Sequence, residues 1–381
     1  MTQETYLTDK GLIKQENNLY HYTNVSAMQK ILSSNILLAT HIQYMNDWSE
    51  YQRGYQILLE QLKQLKSVVR KRKILFDIEK WNIIKEKIKE LPDKCPITAE
   101  EYNDFIIEQH RTRMELLLPE VYSVSFCGEA DLLNQWTNYA KENGVCIEFD
   151  FHNFVFQCPD ISEEIYNKFG KEEIDEARIY KGYRPVKIVY AENAMRDIIK
   201  KDIVAYLQEV PTKEKREIEE FWWKEIGTVF SIVPFFKHMA FAPENEIRLA
   251  VRRLSVPLNF INRDCNGKLS GFYEAKIYYM ERGNILTPRL KLQWKCIENS
   301  SSQKTPVKSI IVGPGSNQEM TYRSIIHFIE HSLNNVDNIS RSERKKLEIS
   351  EAVQLTTTGM EPGYVTNKGI VVRKSGIPYI F

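Results

Sequence analysis

One stretch limits what this chain can fold into more than any other: VYSVSFCGEADLLNQWTNYAKENGVCIEFDF, from Val121 to Phe151. It opens by alternating. Tyr122, Val124 and Phe126 fall on one face and Ser123, Ser125 and Cys127 on the other, which is the period of a β-strand. Asp131 reads as a helix N-cap, after which Leu132, Trp136, Tyr139 and Ala140 share one helical stripe. Gly144 stands where a helix end favours a left-handed residue, and Val145–Phe151 alternates again as a second strand. The short helix therefore carries a Trp and a Tyr beside a serine-bearing strand face. That arrangement suits core packing, and it equally suits the wall of a pocket for a flat ring.

The flanking chain supplies more strands and many helices. LYHYT, Leu19–Thr23, is a short strand with His21 and Thr23 on one face and Tyr20 and Tyr22 on the other. Asn24 caps a helix to about Ser34 with Met28, Ile31 and Leu32 inward; Asn35 closes it, and Ile36–Ala39 is a brief buried strand. Residues 49–118 keep helical spacing, interrupted at Pro92 and Pro96, and read as a helical insertion. Its basic cluster, Lys66 and Arg70 to Lys73, reads first as a solvated helix face.

Further on, a helix is expected near 162–169, a strand at 186–190 and a long helical stretch at 195–229. PENEIRLAV ends in a strand with Glu246, Arg248 and Ala250 on one face and Ile247, Leu249 and Val251 on the other. An extended region at 271–280 and a strand at 307–312 follow. Gly313-Pro314-Gly315 then turns the chain into a helix near 318–333. Residues 299–306 and 335–346 read as polar loops, and 353–356 and 370–373 as short β segments. The sum is a single α+β domain over 1–381, with the insertion at 49–118 and a C-terminal extension, 299–381, packed on the core.

Composition removes some classes. Lys+Arg of 52 against Asp+Glu of 51 leaves no global charge for gripping a polyanion, so any such contact is a local patch. No run approaches the roughly 18 apolar residues that span a bilayer, and MTQETYLTDKGLIKQENN lacks a signal-peptide core, so no membrane contact and a cytoplasmic location are expected. The 6 cysteines are scattered without CxxC spacing, which argues for reduced thiols and against a structural metal.

Three polar side chains sit among apolar neighbours: His21, Tyr139 and Glu246. A carboxylate between Ile247 and Leu249 requires a partner or a wet cleft, and Arg248 on its own face is the candidate partner. Singly, the three read as a satisfied strand histidine, a core tyrosine and a structural ion pair.

Their order in the chain says more. A strand with His and a following Thr comes first, then a strand leading to a helix that presents Tyr, and late in the chain a strand opening Asn-Glu. This order resembles the ADP-ribosyltransferase fold of the histidine–tyrosine–glutamate class. The resemblance implies a split β core enlarged by the helical insertion and additional helices. It also implies NAD as co-substrate, with Glu246 on the ribose 2′-hydroxyl and Tyr139, aided by Trp136, stacked on nicotinamide. His21 would then lie at the adenosine-side ribose, Thr23 and Ser125 would be further polar contacts, and Arg248 would serve the pyrophosphate or orient Glu246.

Nearly end to end, the chain also resembles a bacterial family known only as domain of unknown function 2971. The resemblance is carried by LYHYT, YMNDWSEY, SVSFC…LLNQWTNYA…GVCIEFDF, FFKHMAFAPENEIRLAV, IIVGPGS and SGIPYIF.

What these resemblances imply is an NAD-consuming enzyme that cleaves the nicotinamide–ribose bond. ADP-ribose would pass to a macromolecule, protein or nucleic acid, or to water, in the service of a toxin or phage-defence effector with a possible regulatory partner. Because Glu244 falls on the loop side of Asn245, the paired glutamates of arginine-specific toxins are not expected, and arginine is a less favoured acceptor. Glu148 is a rival carboxylate ranked below Glu246. Two other classes compete: a non-enzymatic nucleotide- or nucleic-acid-binding module, and a metal-dependent nuclease built on Asp47, Glu50 and Glu148.

Overall fold

The computed structural model describes residues 19–45, 53, 54, 56, 57, 60, 121–141, 143–157, 179–180, 185–198, 233–252, 276–296, 305–358 and 362–378. The basic cluster at 66–73, the expected helix at 162–169 and most of the segments at 49–118 and 195–229 lie outside these residues. The chain divides into two compact units. One comprises 1–41, 122–187 and 242–381, and the other comprises 42–121 and 188–241.

The first unit is α+β and is organised by a mixed sheet. Its strands are β1 (Leu19–Thr23), β2 (Ile36–His41), β3 (Val121–Cys127), β4 (Val145–Phe149), β5 (Phe154–Gln157), β6 (Ile179–Tyr180), β7 (Val186–Lys187), β8 (Glu246–Arg252), β9 (Tyr278–Arg282), β10 (Ile285–Cys296), β11 (Val307–Val312), β12 (Tyr364–Val365) and β13 (Val371–Lys374). Among the described residues the order across the sheet is β12-β13-β11-β4-β1-β3-β2-β10-β5-β6. β8 pairs with β3 and β7, and β9 pairs with β10. β11 and β13 pair in parallel, which requires a crossover connection in place of a hairpin.

The longer helices among the described residues of this unit are α1 (Val25–Ser34), α2 (Gln318–Ser332) and α3 (Arg341–Thr358). α1 forms where the sequence places it. The Asn24 side chain accepts from Ala27 N–H, and Asn35, at φ 58°, ends the helix in the left-handed conformation that asparagine tolerates. Met28, Ile31 and Leu32 turn inward.

Each strand's alternation sorts its side chains onto two faces. On one face Leu19, Val124, Phe126, Phe149, Leu249, Leu290, Leu292 and Trp294 join Met28 and Leu32 of α1 and Ile325 and Ile329 of α2 in one buried cluster. Phe149 and Phe151 stack there with centroids 5.0 Å apart. Each such side chain contributes about 1.5–3 kcal/mol on burial, so this face is the unit's main source of stability. The opposite face carries a smaller cluster of Tyr22, Cys127, Trp136, Ala140, Cys146 and Ile311.

Two expectations fail near the C-terminus. Residues 353–356 are not a β segment and 341–346 are not loop, because both belong to α3. Ser340 and Glu343 form a reciprocal capping box: Glu343 N–H donates to Ser340 Oγ and Ser340 N–H to Glu343 Oε2 at 2.8 Å. That signal, S-x-x-E, outweighs the β-branched residues that suggested a strand. β10, at 12 residues the longest strand among the described residues, went unpredicted although Leu290, Leu292 and Trp294 alternate with Arg289, Lys291 and Gln293; Pro288 hid the run.

In the second unit, the helical residues Arg53 and Glu60 meet Glu192 and Arg196 of the helical segment 192–198 through charges. Arg53 bonds Glu192 at 2.9 Å, and Arg196 bonds both Glu60 and Glu192 at 2.6 Å. Val189 bridges Phe236 in parallel, in the segment expected to be a strand.

Candidate functional site

β3 has a peculiarity that creates the site. β2 pairs with it at Tyr122 and Ser123, while β1 pairs with it only at Cys127. Residues 124–126 thus have no partner in β1 or β2, and the further strand that pairs with β3 is β8. At the middle of this interval the His21 imidazole takes the place of a strand: its Nδ1 donates to the Ser125 carbonyl at 3.0 Å. The bond fixes the tautomer, with the proton on Nδ1 and the lone pair on Nε2. Burial outweighs that hydrogen bond and lowers the His21 pKa below its ordinary 6.5, so the ring is neutral.

Ser125 extends the connection in the other direction. Its hydroxyl donates to Glu246 Oε1 at 2.7 Å. Glu246 opens β8 and is clasped by Arg248, the next residue on that face, with Nε 2.6 Å from Oε1 and Nη2 2.9 Å from Oε2. Both are buried, at 5% and 3% exposure. A buried carboxylate persists only with such bidentate, charge-assisted pairing.

Tyr139 arrives from a distorted helix. Leu133–Gln135 is one α-turn that runs into a π-helical turn, Trp136–Ala140, closed by Lys141 N–H to Trp136 C=O at 2.7 Å. The extra residue rotates Tyr139 off the apolar stripe predicted for it. Trp136 and Ala140 are buried, but Tyr139 is 38% exposed and its hydroxyl donates to Glu244 Oε1 at 2.9 Å. The core reading of Tyr139 is corrected accordingly.

Asp131 is corrected as well. It is not the N-cap, a position held by Leu132; at φ 55° it instead accepts Trp136 Nε1–H at 2.8 Å, Gly376 N–H at 2.9 Å and the Ser375 hydroxyl. Nor is Gly144 left-handed. Lys141 and Asn143 make that turn, each at φ 57°, and Gly144 is required because a Cβ would lie 2.4 Å from Ala140 Cβ and carbonyl oxygen.

The segment before β8 holds these parts in register. Glu244 C=O accepts from Gln135 Nε2 at 2.9 Å and from the Cys127 thiol at 3.3 Å, Asn134 bonds Pro243 C=O at 2.8 Å, and Gly128 N–H bonds Asn245 C=O at 2.9 Å. Ser125, Glu246 and Arg248 are therefore joined on one face, where Tyr139 reaches the same strand entrance two residues earlier, through Glu244. His21 meets Ser125 only at its backbone carbonyl, and its ring shares the face of Leu19 and packs on Phe126 at 5.7 Å, on the other side of the sheet. Thr23 pairs with Val145 and shares His21's face, but no described bond ties it to this line. Trp136 supports from beneath. It is fully buried, edge-on to Tyr22 at 4.8 Å and against Gly313, so it is a packing residue and not a stacking surface.

Glu148 belongs elsewhere, engaged by Ser309 and lying 3.9 Å from Arg373, which also pairs with Glu351. Asp47 and Glu50 lie outside the described residues. Burial pushes the Cys127 thiol up to about 11 and Cys146 well above its ordinary range, so neither supplies a thiolate near neutrality. Sequence reasoning set Glu244 aside as a loop-side residue and passed over Gln135. The local signal was the repeated acid in Glu244-Asn245-Glu246, which Asn245's left-handed φ of 45° folds so that the two carboxylates serve different partners.

No described helix is long and apolar enough to cross a membrane. A search of curated proteins and of solved structures finds no match to this chain. Residues 135–249, from the last residue of the short α-turn to the middle of β8, match the sequence model of a family described as a protein of unknown function, DUF2971.

Proposed function

We propose that this protein is an NAD-consuming, ADP-ribosyltransferase-like enzyme. The observation that carries the reading is the hydrogen-bonded line His21–Ser125–Glu246, with the exposed ring of Tyr139 beside its end. The break in β1–β3 pairing opposite Ser125 supports it, since a split β core needs such an interruption.

In this reading nicotinamide stacks on Tyr139, which fixes its angle. The bond between nicotinamide N1 and ribose C1′ breaks, and its electron pair neutralises the pyridinium nitrogen. The positive charge left on the ribose is stabilised by Glu246, oriented by Arg248, through the 2′-hydroxyl, which takes over the place of the Ser125 hydroxyl. His21, on the other side of the sheet, holds the Ser125 carbonyl and so positions the serine hydroxyl beside Glu246. An acceptor oxygen or nitrogen of a macromolecule, or water, then bonds C1′ and gives up a proton. Nicotinamide, ADP-ribosylated acceptor and a proton are the products. Such chemistry fits a toxin or defence effector restrained by a partner.

The burial of the Glu246–Arg248 pair favours one rival, a binding module in which the pair is purely structural. Incubation with labelled NAD and candidate acceptors separates the two. The enzyme releases nicotinamide in the wild type and not in Glu246→Gln. Nicotinamide release that persists in that variant removes Glu246 from the mechanism, and intact NAD with every acceptor tried selects the binding module.

A further inference from the structure

A second polar group on the sheet lacks the partners that Glu246 and Arg248 find in each other. Arg289 of β10 lies directly opposite Thr40 of β2, and Thr40 directly opposite Ser123 of β3. Directly paired residues project from the same face, so the three form one row across three strands. Ser123 is 2% exposed, and its hydroxyl has no hydrogen-bond partner. Arg289 is half-buried, and its Nε is sealed without an acceptor.

Each orphan is costly. A buried hydroxyl and a buried guanidinium nitrogen both lose their hydration on folding, and here no partner replaces it. Among the described residues the charge acting on Arg289 through space is Arg282, which is also positive. Burial and this like charge together hold the Arg289 pKa below its ordinary value. An anion lying across Thr40 would reach both of these unmatched groups.

The rest of the row narrows the anion. On the outer edge of β10, Tyr278 of β9 is the partner of Arg289, and Lys291 Nζ stands 3.9 Å from the Tyr278 ring centroid. Neighbouring strands are about 4.8 Å apart, so Arg289 and Ser123 flank Thr40 across about 10 Å. That span takes one or two phosphates between an arginine fork and a hydroxyl. Ser123 is two residues before Ser125 on the same face of β3, so the row adjoins the Glu246 carboxylate.

We propose that Arg289, Thr40 and Ser123 bind the pyrophosphate of a nucleotide. The inference rests on the reading above only for the identity of that nucleotide as the dinucleotide being cleaved. The row itself is tested with ligands that cannot be cleaved at nicotinamide.

The experiment is calorimetric titration of the full chain with ADP, inorganic pyrophosphate and adenosine, repeated on Arg289→Met, Arg289→Lys and Ser123→Ala, with nicotinamide release from NAD measured in parallel. ADP and pyrophosphate are expected to bind and adenosine not. Arg289→Met should weaken ADP at least tenfold and Ser123→Ala several-fold. If Arg289→Met fails to fold, Arg289→Lys, which keeps the charge and loses the fork, and Ser123→Ala carry the test. ADP affinity unchanged in those two variants, or adenosine binding as well as ADP, overturns the proposal. ADP binding that depends on Arg289 without any nicotinamide release sinks the transferase reading and spares this site; release with ADP affinity indifferent to Arg289 does the reverse.

Discussion

Arg248 grips both carboxylate oxygens of Glu246, its neighbour two residues back on the same face of β8, at 2.6 and 2.9 Å with both side chains buried. The i, i+2 spacing of a strand makes this possible, because side chains at that spacing project side by side from one face. The pair shows why an acid and a base can be afforded in a strand whose other face is Ile247, Leu249 and Val251, each wholly buried.

The pair's contribution is therefore conditional. Arg248→Met should lower unfolding free energy by about 3–5 kcal/mol, because it strands a buried carboxylate. Arg248→Met with Glu246→Gln should recover most of that loss. Urea denaturation of the single and double variants gives the coupling. Equal losses in the single and double variants would show that packing, and not charge, holds this end of β8.

Tyr139 separates ring from hydroxyl. Tyr139→Phe removes the 2.9 Å bond to Glu244 at a partly exposed position, so stability should change by no more than about 1 kcal/mol. On the transferase reading the ring does the stacking, so Tyr139→Phe keeps nicotinamide release within a few-fold. Tyr139→Ala should lose about tenfold, the equivalent of an aromatic stacking contact. The same loss in both variants would assign the role to the hydroxyl and its Glu244 partner.

The turn under Tyr139 is sterically set. At Gly144 an added methyl meets Ala140 backbone at 2.4 Å, and at Gly313 it meets the Trp136 ring at 2.8 Å. Gly144→Ala and Gly313→Ala should each cost about 1–3 kcal/mol, the range for forcing an extra methyl into packed surroundings. Gly144→Ala is the more severe, because backbone atoms cannot swing aside as a ring can. Denaturant midpoints rank the two, and the reverse order would mean that the π-helical turn yields more readily than Trp136.

How far the sequence reached is clear from individual residues. Period-two alternation located β1, β3, β4, β8 and β11, and the Asn24 cap located α1, because each depends on contacts a few residues long. The line from His21 through Ser125 to Glu246 was foreseen as a set of residues but not as bonds. Its links span 104 and 121 positions in the chain, and tertiary pairing of strands decides them. Tyr139 was misplaced for a local reason. A π-helical turn adds one residue to the helical period, so any stripe counted at 3.6 residues per turn fails beyond Trp136. Arg289 was invisible because Pro288 hid its strand, and its lack of a partner emerges only once three strands are in register.

The last prediction concerns acid. The His21 pKa is lowered in the folded protein, chiefly by burial, while in the unfolded chain it returns to about 6.5. Above that value both states hold a neutral ring, and His21 adds no pH dependence. Below it the unfolded chain takes up a proton that the folded chain refuses, so the unfolded state binds more protons and stability falls as pH falls, levelling only below the folded pKa. The loss from pH 7.5 to 5 should therefore be greater in the wild type than in His21→Gln, an uncharged side chain whose amide can still donate to the Ser125 carbonyl. Urea midpoints of both proteins at the two pH values isolate the difference, since every other titrating group is common to them. An identical loss in the two proteins would show that His21 charges freely in the fold, which would place it in open water and not in the gap between β1 and β3.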